Sequence, residues 1–141
     1  MILTFKKHSS MAVIPKRMSP GAAGFDLTAV AITRKNTLFT QYDTGISVAI
    51  PAGYVGLLVP RSSISATGWQ LCNSVGVIDS DFRGSIKMRF STHFNGLDAP
   101  YEVGDRIGQL VVVRTPFVDS LEVEELDPTL RDRGGFGSTG K

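Results

Sequence analysis

The sequence predicts an all-β fold, a jelly roll or distorted β-barrel with one short helix and a flexible C-terminal arm. Three observations carry that expectation. Apolar residues alternate with polar ones along short segments, the period of half-buried strands. Turn signals punctuate the chain, which holds 15 glycines and 7 prolines. Long helical periodicity is absent. Many short strands with regular punctuation read as a sandwich, barrel or jelly roll.

The alternating rows come in chain order. Ile46, Val48 and Ile50 enclose Ser47 and Ala49. Ile86, Met88 and Phe90 alternate with Lys87, Arg89 and Ser91, and Leu121 and Val123 with Glu122 and Glu124. Each row predicts a strand. Turns are expected at Pro51-Ala52-Gly53, Asn95-Gly96 and Val103-Gly104-Asp105. The one helix is expected over Ser62–Thr67, after Pro60 and stopped by Gly68. No internal repeat is visible.

At 141 residues the chain fits one domain with a core of its own. Its 42% hydrophobic and 20% charged content is ordinary for a globular protein, and a net charge of +2 is too small to argue for a nucleic-acid surface. A single cysteine, Cys72, excludes an intrachain disulfide and suits a reducing compartment. The first residues, Met1 to Lys7, carry charge too early for a signal peptide, and no apolar run reaches membrane-spanning length. The expectation is a soluble intracellular protein with no membrane partner.

Chemistry concentrates in five places. The stretch from Asn73 to Gly84 starts as a β-branched strand and breaks into Asp79-Ser80-Asp81, with Gly76 and Gly84 on either side. A carboxylate at a strand rim with an aromatic ring, Phe82, three residues on suits a small-molecule site; a solvated turn is the plain alternative. Asp26, inside the apolar Gly24-Phe25-Asp26-Leu27 segment, needs a partner, a water cluster or a metal. Arg61-Ser62-Ser63 pairs a planar cation with hydroxyls that could cap a helix, which suits phosphate oxygens or a simple cap. Gln109, reckoned on the same face as Ile107 and Val111, is either a core hydrogen bond or a donor aimed into a site. Arg131 and the glycine-rich Gly134–Lys141 could fold over a ligand as a lid, with Phe136 stacking on a flat ring, or remain a loose tail. Gly135 to Lys141 matches the P-loop spacing but lacks the strand and helix that motif requires.

Five of these segments, in order, resemble the trimeric deoxyuridine triphosphate nucleotidohydrolases, or dUTPases. They are Ala23–Leu27, Pro60–Ser63, Gly76–Gly84, Arg106–Leu110, and Arg131 with Gly134–Gly140. The resemblance implies a jelly-roll homotrimer with three composite active sites at subunit interfaces. The implied reaction is Mg²⁺-dependent hydrolysis of dUTP to dUMP and pyrophosphate, which supplies dUMP and keeps uracil out of DNA. Residues 1–130 would form the catalytic domain and residues 131–141 the arm that closes over the site.

Carried over by position, Asp79 is the general base that activates water for in-line attack on the α-phosphorus. Asn73 and the backbone of Gly76, Val77, Ile78 and Asp79 form a uracil-reading hairpin. Arg61, Ser62, Ser63 and Gln109 hold phosphates from neighbouring subunits. Arg131, Ser138 and Thr139 close on the outer phosphates while Phe136 covers the uracil, and Gly137 is a further substrate-binding residue. Asp26 influences the metal through water, and Lys87 lines the nucleotide site.

This sequence departs from the family pattern at three points. Phe82 stands where relatives commonly have tyrosine, whose ring packs under the deoxyribose and excludes a 2′-hydroxyl. Ser63 replaces a common glycine, as in the related dCTP deaminases, and Asp132 and Arg133 alter the charge of the arm. Deamination requires a glutamate where this chain has Arg89, and Ser85–Phe90 holds no acid. A non-catalytic nucleotide-binding trimer would need neither Asp79 nor the glycine-rich arm.

Overall fold

The computed structural model describes residues 2–92 and 99–135. Its strands are β1 (Thr4–Lys7), β2 (Phe25–Thr28), β3 (Ala31–Lys35), β4 (Thr40–Asp43), β5 (Ile46–Ala49), β6 (Tyr54–Val59), β7 (Trp69–Leu71), β8 (Gly76–Ile78), β9 (Lys87–Thr92) and β10 (Arg106–Arg114). They form two four-stranded sheets, ordered β2-β10-β6-β8 and β3-β4-β9-β7, and a small β1-β5 pair. Every strand pair is antiparallel. The expected all-β jelly roll is the fold observed. Among the described residues no helix is long and apolar enough to cross a membrane.

Alternation explains the core. On β9 Met88 and Phe90 are buried while Lys87 and Arg89 face out, and Ile86 just before the strand is buried with them. On β5 Ile46 and Val48 point inward as expected, but Ser47 between them is buried too. Leu27, Tyr42, Leu58, Ile78 and Leu110 belong to one cluster with Val48, Ile86, Met88 and Phe90, so both large sheets contribute to one interior. Tyr42, Phe90 and Tyr101 meet edge to face there, with ring centres 5.2 to 6.1 Å apart. The Tyr42 hydroxyl donates to the Tyr101 carbonyl at 2.7 Å and accepts from the Tyr101 amide at 3.2 Å, which satisfies it inside the core. The turns at Gly53 (φ +80°) and Gly104 (φ +101°) are as expected. The Asn95-Gly96 turn lies outside the described residues.

Four expectations need correction. The helix is a single 3₁₀ turn, Ser62–Ala66, and neither Ser62 nor Ser63 caps it; extended Arg61 precedes it without a side-chain cap. The Leu121–Glu124 row forms no strand, because nothing among the described residues pairs with it, and Leu121 is 87% exposed. Gln109 does not share a face with Ile107. A register shift between Arg106 and Gly108 inserts one residue, so Ile107 and Leu110 both reach the core and Gln109 turns the other way. Finally, β7 and β8 are not a hairpin: β7 pairs with β9 and β8 with β6, so residues 72–75 cross from one sheet to the other.

Candidate functional site

Strand register assembles the first cluster. On β10, Gln109 sits opposite Asp26 of β2 on one side and Val59 of β6 on the other, and Arg61 follows two residues after Val59. A Cβ on Gly24 would come within 3.0 Å of the Gln109 Cβ, so the glycine leaves room for that side chain. Asp26 is only 7% exposed. Its Oδ1 accepts from Gln109 Nε2 at 2.9 Å and its Oδ2 from Arg106 Nη1 at 2.9 Å, with Arg61 Nε 3.9 Å from Oδ2. The buried acid therefore has partners, as its burial requires. Arg61 also donates from Nη1 to the Arg106 carbonyl at 3.4 Å.

The arrangement has the chemistry to attract an anion. Two guanidiniums share one carboxylate, leaving net positive charge beside the exposed hydroxyls of Ser62 and Ser63. Arg61 is 29% and Arg106 41% exposed, so both keep donors toward solvent. Among the described residues no three acidic, histidine or cysteine side chains cluster to cage a metal ion. Mg²⁺ needs no such cage when phosphates supply most of its ligands. Each oxygen of Asp26 already accepts one hydrogen bond and keeps a lone pair, which fits contact through a metal-bound water rather than direct ligation.

The second cluster is the Asp79 loop. β8 is an edge strand: β6 covers one side, and its other edge has no strand partner among the described residues. Its outward peptide groups are thus open to a partner in the way edge strands accept extended ligands. Gly76 packs over Leu58, whose Cβ would lie 3.0 Å from an added Cβ. Val77 is exposed and Ile78 buried, so the strand ends with Asp79 in solvent. The Phe82 amide donates to the Asp79 carbonyl at 3.1 Å, which turns the chain, and Arg83 Nη1 donates to the carbonyls of Ser80 and Phe82 at 2.7 and 2.8 Å. Asp79 borders a hollow of about 190 Å³ with Tyr54, Thr115 and Phe117.

A third group lies at the turn between β7 and β8. Asn73 and Lys87 line one cavity of about 360 Å³ together with Gln41, Cys72 and Arg89. Ser74 takes a left-handed φ of +57°, which tightens the turn. Lys87 Nζ lies 3.7 Å from Asp43 Oδ2, and Arg89 Nε donates to Gln41 Oε1 at 2.7 Å. Arg131 is exposed, its carbonyl accepting from the Gly134 amide at 2.9 Å. Phe136, Gly137, Ser138 and Thr139 lie outside the described residues.

Within the chain these groups do not converge. Leu58 faces Gly76 and Gly56 faces Ile78, so Asp79 belongs beside Val55. Arg61 leaves the other end of β6, beyond Val59. Four residues of strand, about 13 Å, separate Val55 from Val59. Sequence reasoning gave no role to Arg106, Asp43 or Tyr101. The signal for Arg106 was present, an arginine two residues before a paired glycine and glutamine. Asp43 and Tyr101 are joined to the site only through the tertiary fold.

The sequence profile of the dUTPase family matches residues 10–140. A deoxyuridine 5′-triphosphate nucleotidohydrolase of Nocardia farcinica is 43% identical over 129 residues, covering 90% of this chain and 78% of that protein. The corresponding protein of Syntrophotalea carbinolica is 42% identical over 139 residues, covering 96% of this chain and 94% of its own. Among solved structures, a mutant dUTPase of Staphylococcus bacteriophage 80alpha with dUpNHpp superposes with a TM-score of 0.85 at 25% identity, covering 99% of both chains. A mutant dUTPase from phage phi11 of S. aureus, which coordinates a structural Mg(II) ion, superposes with a TM-score of 0.75 at 25% identity, covering 89% of this chain and 98% of that one. With motifs, register and fold in agreement, this chain belongs to the dUTPase family.

Proposed function

We propose that the chain hydrolyses dUTP to dUMP and pyrophosphate at sites shared between the subunits of a homotrimer. The observation that carries this reading is the separation just described. Asp79 stands exposed at one end of β8, while Arg61 and Gln109 gather at the far end of β6. A base and a phosphate cradle that far apart on one protomer can serve the same α-phosphorus only if another subunit supplies one of them.

In this reading Asp79 takes the proton from a water as that water attacks the α-phosphorus in line. The open edge of Gly76–Asp79 pairs with the uracil edge and, with Asn73 and Lys87, seats the nucleoside. Cytosine would leave the same main-chain groups unpaired, which is a strong basis for rejection. The Phe82 ring lies under the deoxyribose. Arg61, Ser62, Ser63 and Gln109 hold the phosphates where negative charge builds. Bound mainly to those phosphates, with Asp26 reached through water, Mg²⁺ would supply charge neutralisation on the leaving pyrophosphate. Residues 131–141 close the site, Arg131, Ser138 and Thr139 on the outer phosphates and Phe136 on the base, with Gly137 allowing close approach.

Pyrophosphate release from dUTP, dCTP and dTTP, with a mass measurement in solution, tests the reaction and the assembly together. Release from dUTP alone by a trimer is expected; none from dUTP would refute the activity. Mixing inactive Asp79→Asn subunits with inactive Arg61→Ala subunits tests the shared site. Activity should return in the mixed trimers, and its failure to do so would place the base and the cradle in one subunit.

A further inference from the structure

We propose that Ser47 is a positioning residue for sugar selection, acting through the peptide of Arg83 on the ring of Phe82. This inference rests on the reading of Phe82 as the ring beneath the deoxyribose. Ser47 is 4% exposed on β5, in a position that alternation would give to the surface. Its Oγ donates to the Arg83 carbonyl at 2.8 Å. Its oxygen lies 2.6 Å from His8 Nε2. A serine has one proton to give; with that proton on Arg83, the oxygen must accept, so His8 carries its hydrogen on Nε2. The chain His8–Ser47–Arg83 thus has one direction, and His8 is itself fixed by its amide, which donates to the Gly45 carbonyl at 2.8 Å.

The loop after Asp79 is anchored at its far end as well. The Ile86 amide donates to Ile46, and Thr44 donates to the Ile86 carbonyl from both its amide and its hydroxyl, at 3.1 and 2.9 Å. Among the described residues two side-chain bonds tie the loop between Asp79 and Ile86 to the sheets: Ser85 Oγ donates to Asp43 Oδ1 near the end of the loop, and Ser47 donates to the Arg83 carbonyl, next to Phe82. Phe82 stands beside that peptide. Its ring is 40% exposed and lies over Gly84, where an added Cβ would approach the ring at 2.6 and 2.9 Å. A phenyl ring has no hydroxyl with which to anchor itself. Its height under a bound sugar is therefore set by the backbone on which it rides and by the space Gly84 leaves. Discrimination against a 2′-hydroxyl needs that height held to a fraction of an ångström.

The experiment compares kcat/KM for dUTP, UTP and dCTP in the full-length protein and in Ser47→Ala, with melting temperatures to show that each is folded. The dUTP/UTP ratio should fall about 3–10-fold, the reach of one lost buried hydrogen bond, while the dUTP/dCTP ratio, set by the edge of β8, stays within about 2-fold. A merely structural role would move both ratios together or neither, and either result overturns the proposal. Phe82→Ala serves as the control: if it leaves the dUTP/UTP ratio intact, the placement of the ring under the sugar is wrong and this inference goes with it. If Phe82→Ala collapses the ratio and Ser47→Ala does not, only the positioning role fails. Should Ser47→Ala not fold, His8→Ala removes the group that orients the hydroxyl. A fall of about 3-fold is then expected, and an unchanged ratio refutes the role.

Discussion

Replacing Asp26 by asparagine asks how the proposed phosphate cradle is held. The substitution keeps the volume of a side chain that is 7% exposed but removes its charge. The amide oxygen can still accept from Gln109 Nε2. The amide nitrogen then faces Arg106 Nη1, where the carboxylate accepted at 2.9 Å, so two donors oppose each other. A hydrogen bond to a charged group contributes about 1.5–3 kcal/mol. Arg106 is 41% exposed, so water replaces part of what it loses and the lower half of that range applies. Arg61 loses a weaker, longer-range partner at 3.9 Å. The sum is about 2 kcal/mol. Unfolding entropy of about 2.1 cal/mol/K per residue gives about 0.3 kcal/mol/K for a chain of this length, and hence a melting temperature lower by about 7 °C.

Stability alone does not say what the carboxylate does for phosphate, and pyrophosphate affinity does. If Asp26 acts only as a counter-charge, its neutralisation leaves the two guanidiniums freer and anion binding tightens, most at low salt. If it acts by orienting Arg61 and Gln109, binding weakens although the site becomes more positive. The geometry predicts the second, because both oxygens of Asp26 are engaged, by Gln109 and Arg106 of β10 and by Arg61 just beyond β6. Calorimetric titration with pyrophosphate at two salt concentrations decides it. A melting temperature within about 1 °C of the parent would refute the stability argument, and tighter pyrophosphate binding would refute the orienting role.

Other substitutions probe other links. Asp79→Asn should lower turnover by about 10³-fold or more while the protein still binds a non-cleavable dUTP analogue, since in the proposed reaction the lost group moves a proton rather than holds the ligand; normal turnover would remove Asp79 from the mechanism. Gly56→Ala places a Cβ 2.7 Å from Ile50 Cδ1 and 2.8 Å from Leu110 Cδ1, overpacking the core by about 1–3 kcal/mol in denaturant titrations. Burial raises the phenols of Tyr42 and Tyr101 above their ordinary value of 10.0. Below that value both folded and unfolded chains hold the proton; above it the unfolded chain loses protons first, so stability falls as pH rises through the raised folded values. The buried Tyr101 hydroxyl has no hydrogen bond of good geometry among the described residues, although Ser63 and Arg61 are near. Tyr101→Phe should therefore match or exceed the parent in melting temperature and blunt the alkaline loss, whereas Tyr42→Phe, which breaks two bonds to Tyr101, should cost about 1–3 kcal/mol.

The strands that alternation announced are those whose partners lie within the protomer. Ile86, Met88 and Phe90 read correctly because one face of β9 meets the core and the other meets water. Leu121 and Val123 alternate just as well, yet a strand needs a neighbour and none is present among the described residues. Gln109 was placed on the wrong face because a period-two count cannot see an inserted residue. The cue was Gly108, where a Cβ would strike the Met88 side chain and come within 3.0 Å of the Val59 carbonyl. The resemblance implies a hairpin for Asn73 with Gly76–Asp79, whereas β7 pairs with β9 and β8 with β6, a sheet assignment that depends on strands distant in sequence. The contacts of Asp26 with Arg106 and Gln109 span 80 and 83 residues, so no local pattern encodes them. The family motifs named the members of that cluster without showing how they touch.

Among the described residues four polar side chains are buried: Asp26, Thr40, Thr44 and Ser47. Three of them bond to segments of the proposed site, Asp26 to Arg106 and Gln109, Thr44 to Ile86, and Ser47 to Arg83. Stability does not explain that bias. A buried polar pair gains little over an apolar one of the same shape, and a broken pair is costly. What such a bond supplies is direction: it selects one placement of a loop among several that hydrophobic contact would tolerate. The loop carrying Asp79, Phe82 and Gly84 has little apolar contact of its own, and the residues before and after Ile86 are exposed or half-buried. Thr44→Val separates the two effects, since it keeps the shape of the side chain and removes the hydroxyl. It would leave the Ile46 amide, now 3.3 Å from Thr44 Oγ1, without that acceptor, and would release one of two bonds on the Ile86 carbonyl. A loss of about 1 kcal/mol in stability with a larger proportional loss in kcat/KM would show that the bond directs the loop. Lost stability with kcat/KM unchanged in the folded protein would show that it only holds the fold together.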